Sequence, residues 1–418
     1  MGGAHGRISH VYDDYNLSFS ELKDIVTNIQ NGTIETYEKI DGINLYVTWD
    51  SSNNELRVAR NKKHIKLGGI NRVELEQKYN GRGSLKDAFI GAYDVLNNAF
   101  GNLTKQTRSS IFGSTGGVWY SIDIVYPEAR NLIKYDNNFI VFHKIGVTMF
   151  DWDGNPMVSR TDRHFNMLNL VIKHLNDDAK KFGWRIYGPS VIKLNQLGEE
   201  SLKNLSTINS LITQNGLRET DKIKDYLRKN LKNDTSFLFV PYDLRSKVLD
   251  KMLGENGSQS LRSLYKGQIP AVRDHIKSLV SGSPNKIRAL MTPIESVLYE
   301  ISCSLLGGCK SFFVSNPQDE INRLRSELMR AISVLEKLDD ENGKFSLLKH
   351  KEKLRSANKI NTSVEGVVFL YRKKPYKITG VFAPANQIYQ QVKYKISPVK
   401  ETNKNTNLKN YVLGISAG

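Results

Sequence analysis

A lysine, a carboxylate and a glycine stand close together in the string Glu38-Lys39-Ile40-Asp41-Gly42. Side chains alternate along a β-strand, so Lys39 and Asp41 are expected on the same face. A lysine amine becomes a covalent nucleophile when it loses its proton, which burial, a neighbouring cation or a metal ion promotes. Gly42 lets a loop or a phosphate approach the backbone closely. Taken alone, this short string is equally typical of a surface hairpin with a charge pair.

Other residues whose side chains could take part in the same chemistry follow this string along the chain. They are a basic residue after a predicted strand, an acidic residue inside an apolar strand, an aromatic residue at a strand end, and a Glu-Gly pair with a lysine twelve residues after the Glu: Arg60, Asp123, Phe142, Glu365-Gly366 and Lys377. A carboxylate in an apolar strand is costly unless it is paired, so Asp123 needs a function or a buried hydrogen bond. His143, beside Phe142, is interpreted as a structural histidine rather than a base.

This ordered set resembles the covalent nucleotidyltransferase superfamily, which comprises ATP-dependent DNA and RNA ligases and messenger-RNA capping enzymes. The resemblance covers residues 34–145 and 360–385, and the strings ARNK, GRG and KITGVFAPANQI are similar to ligase-like proteins of tailed phages. It implies that the amine of Lys39 attacks the α-phosphorus of ATP, forms lysyl-AMP and releases pyrophosphate. It also implies Mg²⁺ or Mn²⁺ as a cofactor, and RNA or DNA ends or nicks as partners.

The resemblance implies a role for each residue of the set. Lys39 is implied as the nucleophile, and Lys377 as the catalytic lysine that neutralises the α-phosphate. Glu365 and Asp41 are implied as metal ligands. The residues implied to bind the nucleotide include an arginine for the ribose and an aromatic ring for the purine: Glu38, Asp41, Gly42, Arg60, Asp123, Phe142, Glu365 and Lys377.

The chain departs from the superfamily pattern at three positions. Tyr37 stands two residues before the nucleophile, where many members have Glu, and Asn44 stands where DNA ligases have Arg. The last motif, Tyr-Lys-Ile-Thr-Gly, lacks a second lysine, for which Lys374 is a possible substitute. About 35 residues follow this motif, which is too few for an oligonucleotide-binding barrel. These features favour an RNA ligase-like enzyme over a DNA ligase.

Two functions of other classes stay open. One is a ligase-like nucleic-acid-binding module that has lost catalysis, which the absent second lysine favours. The other is a transferase that adds AMP to a protein or small molecule, with which the absent barrel is consistent. GTP-dependent capping is the weakest alternative. The sequence leaves open the choice between ATP and GTP, the choice between RNA and DNA, and the oligomeric state.

The composition is that of a basic protein with enough apolar residues to form cores. The 418 residues include 60 Lys and Arg against 43 Asp and Glu, and 39% are hydrophobic. A net charge of +17 favours a partner that carries phosphates. The sequence shows no apolar run of about 18 residues and no secretory signal. A cytoplasmic protein without a membrane partner is therefore expected, in the infected host cell if a phage encodes it.

The order of strand-like and helix-like segments predicts an α+β fold. We expect an antiparallel-sheet, ligase-type nucleotidyltransferase (adenylation) domain that is interrupted by an all-helical insertion. The predicted boundaries are 1–160 for the first part of this domain, 161–356 for the insertion, 357–395 for the closing strands and 396–418 for a polar tail. The insertion is expected to supply substrate contacts and much of the positive charge. Inside it, Ser281–Asn285 (SGSPN) predicts a loop between helices.

Overall fold

The computed structural model describes residues 8–129, 132–150, 155–157, 162–197, 199–255, 260–342 and 360–395. These residues form α-helices and mostly antiparallel strands, so the α+β class is confirmed. The chain divides into two compact units. The first takes its residues from segments 1–8, 34–195 and 306–418, and the second from segments 9–33 and 196–305. The predicted polar tail, 396–418, lies outside the described residues.

The strands, numbered along the chain, are β1 (Ser9–His10), β2 (Thr36–Lys39), β3 (Ile43–Asp50), β4 (Glu55–Ala59), β5 (Val118–Val125), β6 (Asn138–Phe142), β7 (Thr148–Phe150), β8 (Pro156–Met157), β9 (Trp184–Tyr187), β10 (Gly366–Tyr371) and β11 (Lys374–Ile378).

The α-helices are α1 (Phe19–Gln30), α2 (Lys62–Lys66), α3 (Arg72–Lys78), α4 (Ser84–Gly101), α5 (Lys105–Phe112), α6 (Asp162–Lys180), α7 (Glu199–Gln214), α8 (Ile223–Lys232), α9 (Arg245–Met252), α10 (Leu261–Leu264), α11 (Pro270–Leu306), α12 (Pro317–Asn342) and α13 (Phe382–Lys395).

The larger sheet of the first unit has the strand order β4-β3-β5-β6-β9, and β7 attaches to β5 and β8 to β7. Side chains alternate along each strand, so one face of the sheet is apolar and the other carries polar groups. The apolar face packs against α4, α5 and α6 in one continuous core, to which β3 contributes Leu45 and Val47 and β5 contributes Ile122 and Ile124. The opposite face of β3 and β5 carries Asn44 and Asp123, which are paired in the strand register.

The smaller sheet of the first unit contains β11, β10 and β2 in that order. Its register pairs Lys39 with Gly366 and Val368 with both Tyr37 and Lys377. Residues 190–192 run along the free edge of β2, where the Glu38 amide donates to the Ser190 carbonyl at 2.8 Å. The strand that carries Lys39 is therefore held on both sides.

The second unit is helical, and two distant segments form it. Helix α1 begins with a capping box, in which the Ser18 hydroxyl accepts from the Glu21 amide and the Glu21 carboxylate accepts from the Ser18 amide. Residues 17–20 also form backbone hydrogen bonds with residues 219–223. These bonds explain why segment 9–33 belongs with 196–305 rather than with the first unit.

The predicted loop at Ser281–Asn285 is wrong, because α11 continues through Pro284. A proline inside a helix has no N–H for the carbonyl four residues earlier, which here is that of Val280. The Ser283 hydroxyl donates to this carbonyl at 2.8 Å and replaces the lost hydrogen bond. A serine beside the proline thus allows one helix where the turn-forming residues predicted two.

The predicted insertion of residues 161–356 is longer at both ends than the second unit. Strand β9 pairs with β6, so it belongs to the larger sheet, and residues from 306 onward belong to the first unit. The second unit carries 17 Lys and Arg against 16 Asp and Glu. The predicted insertion as a whole, residues 161–356, carries 32 Lys and Arg against 23 Asp and Glu, about half of the net charge of +17, but most of this excess lies in its two ends, which belong to the first unit.

Helix α11 is long and apolar enough to cross a membrane by length and composition, since an 18-residue window in it has a mean hydropathy of 1.2. No such segment was expected from the sequence. Within the protein, 44% of this window is buried. Buried residues recur along the helix at three- and four-residue steps, as Ile276, Leu279, Ser283, Ile287, Met291 and Ile294 show. This spacing is that of a helix with one buried face.

Candidate active site

Lys39 and Glu365 form an ion pair, although 326 residues separate them in the sequence. Lys39 ends β2, Glu365 directly precedes β10, and Nζ of Lys39 lies 2.5 Å from Oε1 of Glu365. Gly366 allows this approach, because a Cβ there would lie 2.2 Å from the carbonyl oxygen of Ile378 on β11. The Glu-Gly pair that the sequence singled out thus places its carboxylate on Lys39 by strand pairing.

Asp123 lies in the adjoining part of the larger sheet, on its polar face. Its Oδ2 is 3.0 Å from Nε2 of His143, so this strand carboxylate has the buried hydrogen bond that its position requires. Gly42 explains how the turn after Lys39 passes so close to β5. A Cβ at Gly42 would lie 3.0 Å from both the Asp123 Cβ and the Ile124 carbonyl oxygen.

The charges of these groups influence one another. Burial alone would lower the pKa of Lys39, but the carboxylates of Glu365 and Asp123 outweigh it, so the pKa is raised above its ordinary value. Burial raises the pKa of Glu365 to about 7, against the opposing effect of the Lys39 cation. For Asp123, burial is outweighed by His143 and Lys39, which hold its pKa below the ordinary value. The resting amine is therefore protonated and surrounded by acids.

Asp41 has a structural task in this arrangement. Its Oδ2 accepts hydrogen bonds from the amides of Leu132 and Ile133 at 2.6 and 2.9 Å, and its own amide donates to the Tyr135 hydroxyl at 3.2 Å. The carboxylate also acts electrostatically on Lys39. Asp41 thus fixes residues 132–135 beside the lysine through Oδ2, and its predicted role as a metal ligand would fall to Oδ1.

Glu365 fits a metal ligand better. Its Oε2 is buried and has no hydrogen-bond partner among the described residues, which leaves one carboxylate oxygen to be satisfied. Within the same part of the chain, no three His, Cys, Asp or Glu side chains are arranged to hold a metal ion by themselves. Magnesium in phosphoryl-transfer sites is commonly held by one or two carboxylates together with substrate phosphates. The donor set present suits that arrangement and does not form an all-protein cage.

Glu38 does not face the pocket, contrary to the prediction that it binds the nucleotide. It alternates with Lys39 along β2 and therefore points to the other side of the sheet. Its buried carboxylate accepts hydrogen bonds from the Ser311 hydroxyl and, at 3.1 Å, from the Phe312 amide. Glu38 anchors the strand that carries Lys39 to the segment that precedes α12.

The prediction that Phe142 stacks on a purine is also wrong. Phe142 pairs with Ile122 in the sheet register, so it lies on the apolar face, fully buried against Phe100 and Tyr120. The next residue, His143, reaches Asp123 on the polar face. Because successive side chains alternate between the two faces, His143 lies in the candidate site and Phe142 lies in the core.

Arg60 and Lys377 lie at the edges of the site. The Arg60 guanidinium donates to the Asn44 carbonyl, beside Asp123, and lies 5.6 Å above the Phe89 ring. Lys377 lies on the same sheet face as Lys39. It is on β11, the second strand from β2, and is displaced by two residues from the position opposite Lys39, which places the two Cα atoms roughly 12 Å apart. Two long side chains can converge on one phosphate from this separation.

Lys374 cannot replace the missing second lysine. It pairs with Tyr371 at the far end of the β10–β11 hairpin, five residues from the register position of Lys39. It is three residues from Lys377 along β11, so its side chain is expected on the opposite face of the sheet.

Comparison of the chain with protein-family models, with curated proteins and with solved structures finds no match. The geometry adds His143 to the site, through Asp123, and it shows two supporting residues that sequence reasoning missed: Tyr135, which binds Asp41, and Ser311, which binds Glu38. His143 was read as structural, and no sequence signal points to the other two, because each contacts a residue more than ninety positions away.

Proposed function

We propose that this chain is an ATP-dependent nucleotidyltransferase of the polynucleotide ligase type, which forms lysyl-AMP on Lys39. The observation that carries the proposal is the Lys39 amine held 2.5 Å from Glu365, with Asp123 close enough to act on its charge. Three separate segments converge on one lysine, in the order that the resemblance to the superfamily implies. A charge pair on a surface hairpin would need no such convergence.

In the proposed reaction, Nζ of Lys39 attacks the α-phosphorus of ATP. A P–N bond forms, and the bond from the α-phosphorus to the bridging oxygen of pyrophosphate breaks. The amine must first lose a proton, and Oε1 of Glu365 is the nearest acceptor at 2.5 Å. A magnesium ion held by Oε2 of Glu365 would neutralise charge on the phosphates. Lys377, on the same face as Lys39, neutralises charge that develops on the α-phosphate.

The second half of the proposed reaction transfers AMP to a polynucleotide 5′-phosphate, and a 3′-hydroxyl then displaces AMP to seal the strand. An RNA ligase-like activity is proposed ahead of a DNA ligase-like one, because Asn44 stands in place of the arginine of DNA ligases. The fold is proposed to be the ligase-type adenylation domain, with the smaller sheet carrying Lys39 and the larger sheet carrying Asp123.

The test is incubation with α-³²P-labelled ATP or GTP and Mg²⁺, followed by denaturing electrophoresis. We expect an acid-labile label from ATP on the wild-type chain and none on Lys39→Ala. Lys374→Ala is the matched control, since it removes a lysine on the opposite sheet face and should label like the wild type. A folded wild-type chain that takes up neither nucleotide would refute the enzyme and favour a binding module.

Chase of the labelled chain with nicked DNA or with broken RNA identifies the acceptor. Sealing of RNA in preference to DNA supports the proposed substrate. A stable label that no polynucleotide removes would instead favour AMP transfer to a protein or small molecule.

A further inference from the structure

The segment from Arg60 to Gly83 presents a dense group of cations next to the candidate site. It contains seven Lys and Arg residues against two Glu. Six of these cations are exposed on or just beyond helices α2 and α3, and one of them, Arg72, is paired with Glu76 and Asp94. We refer to the other five as the α2–α3 basic surface: Lys62, Lys63, Lys66, Lys78 and Arg82.

The two glutamates of the segment are engaged elsewhere. Glu74 caps α3 by accepting from the Asn71 amide at 2.8 Å, and Glu76 pairs with Arg72 at 3.1 Å. In the part of the chain that the structure describes, four cations of the basic surface have no carboxylate within ion-pair distance: Lys62, Lys63, Lys78 and Arg82. Their charge is therefore available to an external anion.

The cations of α2 and α3 are close to one another in space. His64 of α2 is buried, and its ring accepts a hydrogen bond from the Arg60 amide at 3.1 Å. Burial lowers the pKa of His64, and the charges of Lys78 and Lys63 lower it further, so both lysines lie near this one ring. Residues fifteen positions apart in the sequence thus form one surface.

The basic surface is continuous with the candidate site through Arg60. The Arg60 guanidinium donates to the Asn44 carbonyl beside Asp123, and it also lies over the Phe89 ring. That ring is 4.5 Å from the ring of Tyr79, whose carbonyl accepts from the Arg82 amide at 3.0 Å. Contacts through Tyr79 and Phe89 therefore connect the segment of Arg82 with Arg60, at the edge of the candidate site.

We propose that the α2–α3 basic surface binds the sugar–phosphate backbone of the polynucleotide whose end reaches Lys39. The inference rests on the proposed function for the identity of the strand, and on the geometry above for the surface. A polynucleotide fits because it carries regularly spaced charges that several separate cations can neutralise together. The near-neutral second unit offers no comparable excess of positive charge.

The test compares two triple variants that remove the same formal charge from the first unit. Lys63→Ala/Lys78→Ala/Arg82→Ala removes the basic surface, and Lys105→Ala/Lys173→Ala/Lys180→Ala removes exposed lysines of α5 and α6. Affinity for a fluorescein-labelled 20-nucleotide RNA, for DNA of the same sequence and for vesicles containing phosphatidylserine is measured from 50 to 300 mM salt. Labelling by ATP is measured on the same preparations.

We expect the first variant to bind RNA roughly 100-fold more weakly at 0.1 M salt, with a slope of log affinity against log salt that is shallower by about 2. The control variant should stay within about threefold of wild type, and both should label with ATP like the wild type. Equal effects of the two triples, or loss of vesicle binding without loss of RNA or DNA binding, would overturn the inference. If the wild-type chain takes up no label but the RNA result holds, the proposed reaction fails while the surface stands.

Discussion

Replacement of Glu38 by Gln gives a stability test of how strand β2, which carries Lys39, is anchored. The carboxyl is 3% exposed, and its hydrogen-bond donors are the Ser311 hydroxyl and the Phe312 amide. Burial raises its pKa from the ordinary 4.5 to about 7, although both hydrogen bonds favour the ionised form. Gln has the same shape, can keep contacts with both partners and never ionises, so it isolates the cost of the charge.

The expected magnitude follows from this pKa difference. Between pH 4.5 and about 7 the unfolded chain has Glu38 ionised while the folded chain keeps it protonated, so folding takes up a proton. Stability therefore falls as pH rises through this window and reaches a lower plateau above it. A difference of about 2.5 pKa units corresponds to about 3 kcal/mol in the free energy of unfolding.

Urea unfolding followed by tryptophan fluorescence measures this effect in the unit that contains Glu38, because all four tryptophans lie in segment 34–195. The free energy of unfolding of Glu38→Gln minus that of the wild type should rise by about 3 kcal/mol from pH 4.5 to pH 8. Glu365, whose pKa is also raised to about 7, is present in both proteins and cancels in the difference. A difference that stays constant over this range would refute the reasoning, since the Glu38 carboxyl would then titrate alike in the folded and unfolded chains.

Four further substitutions test the packing of the site. Gly366→Ala should abolish folding of the first unit, seen as loss of soluble protein, because the new methyl would lie 2.2 Å from the Ile378 carbonyl oxygen. Gly282→Ala is the control, since its methyl would enter open space inside α11, and it should stabilise the second unit by about 1 kcal/mol in thermal unfolding. Phe142→Ala should cost about 4 kcal/mol in urea unfolding as a core residue, and a loss below about 1 kcal/mol would place it outside the core. Tyr135→Phe removes the acceptor of the Asp41 amide and should cost about 2 kcal/mol by the same assay, with no change meaning that this hydrogen bond contributes nothing.

The sequence was enough to propose the residue types of the candidate site, but not to predict which face of a strand each side chain occupies. Strand β2 ends at Lys39, so Asp41 acts on the lysine from the turn after the strand and not from the same strand face. The Glu-Gly string correctly marked the partner strand. The prediction for Phe142 failed because the face of a strand depends on register with a neighbour twenty residues away, and a shift of one residue exchanges the two faces. His143 has the hydrogen-bond partner expected of a structural histidine, namely Asp123. Register across a sheet is a property of packing, which a single sequence does not display.

The division of the chain was unpredictable for a related reason. Residues 9–33 join the second unit through backbone hydrogen bonds to residues 219–223, and backbone groups leave no trace in residue type. At α11 the turn-forming residues around Pro284 were correctly recognised as unfavourable for a helix, yet the Ser283 hydroxyl compensates locally for the missing donor. In both cases a hydrogen bond that composition cannot reveal decides the structure.

The balance of charge in the pocket gives the strongest physical reason to regard it as a site and not as a structural ion pair. One ammonium group, that of Lys39, faces the carboxyl groups of Glu365, Asp123 and Asp41, so acids outnumber the base. A structural pair in a protein interior is stable when its charges cancel, whereas an excess of buried carboxylate is costly. The excess is relieved here in part by the raised pKa of Glu365 and by the hydrogen bond of His143 to Asp123. Among the described residues, no hydrogen-bond donor satisfies the buried Oε2 of Glu365. A cation that arrives with a phosphate substrate would satisfy this oxygen.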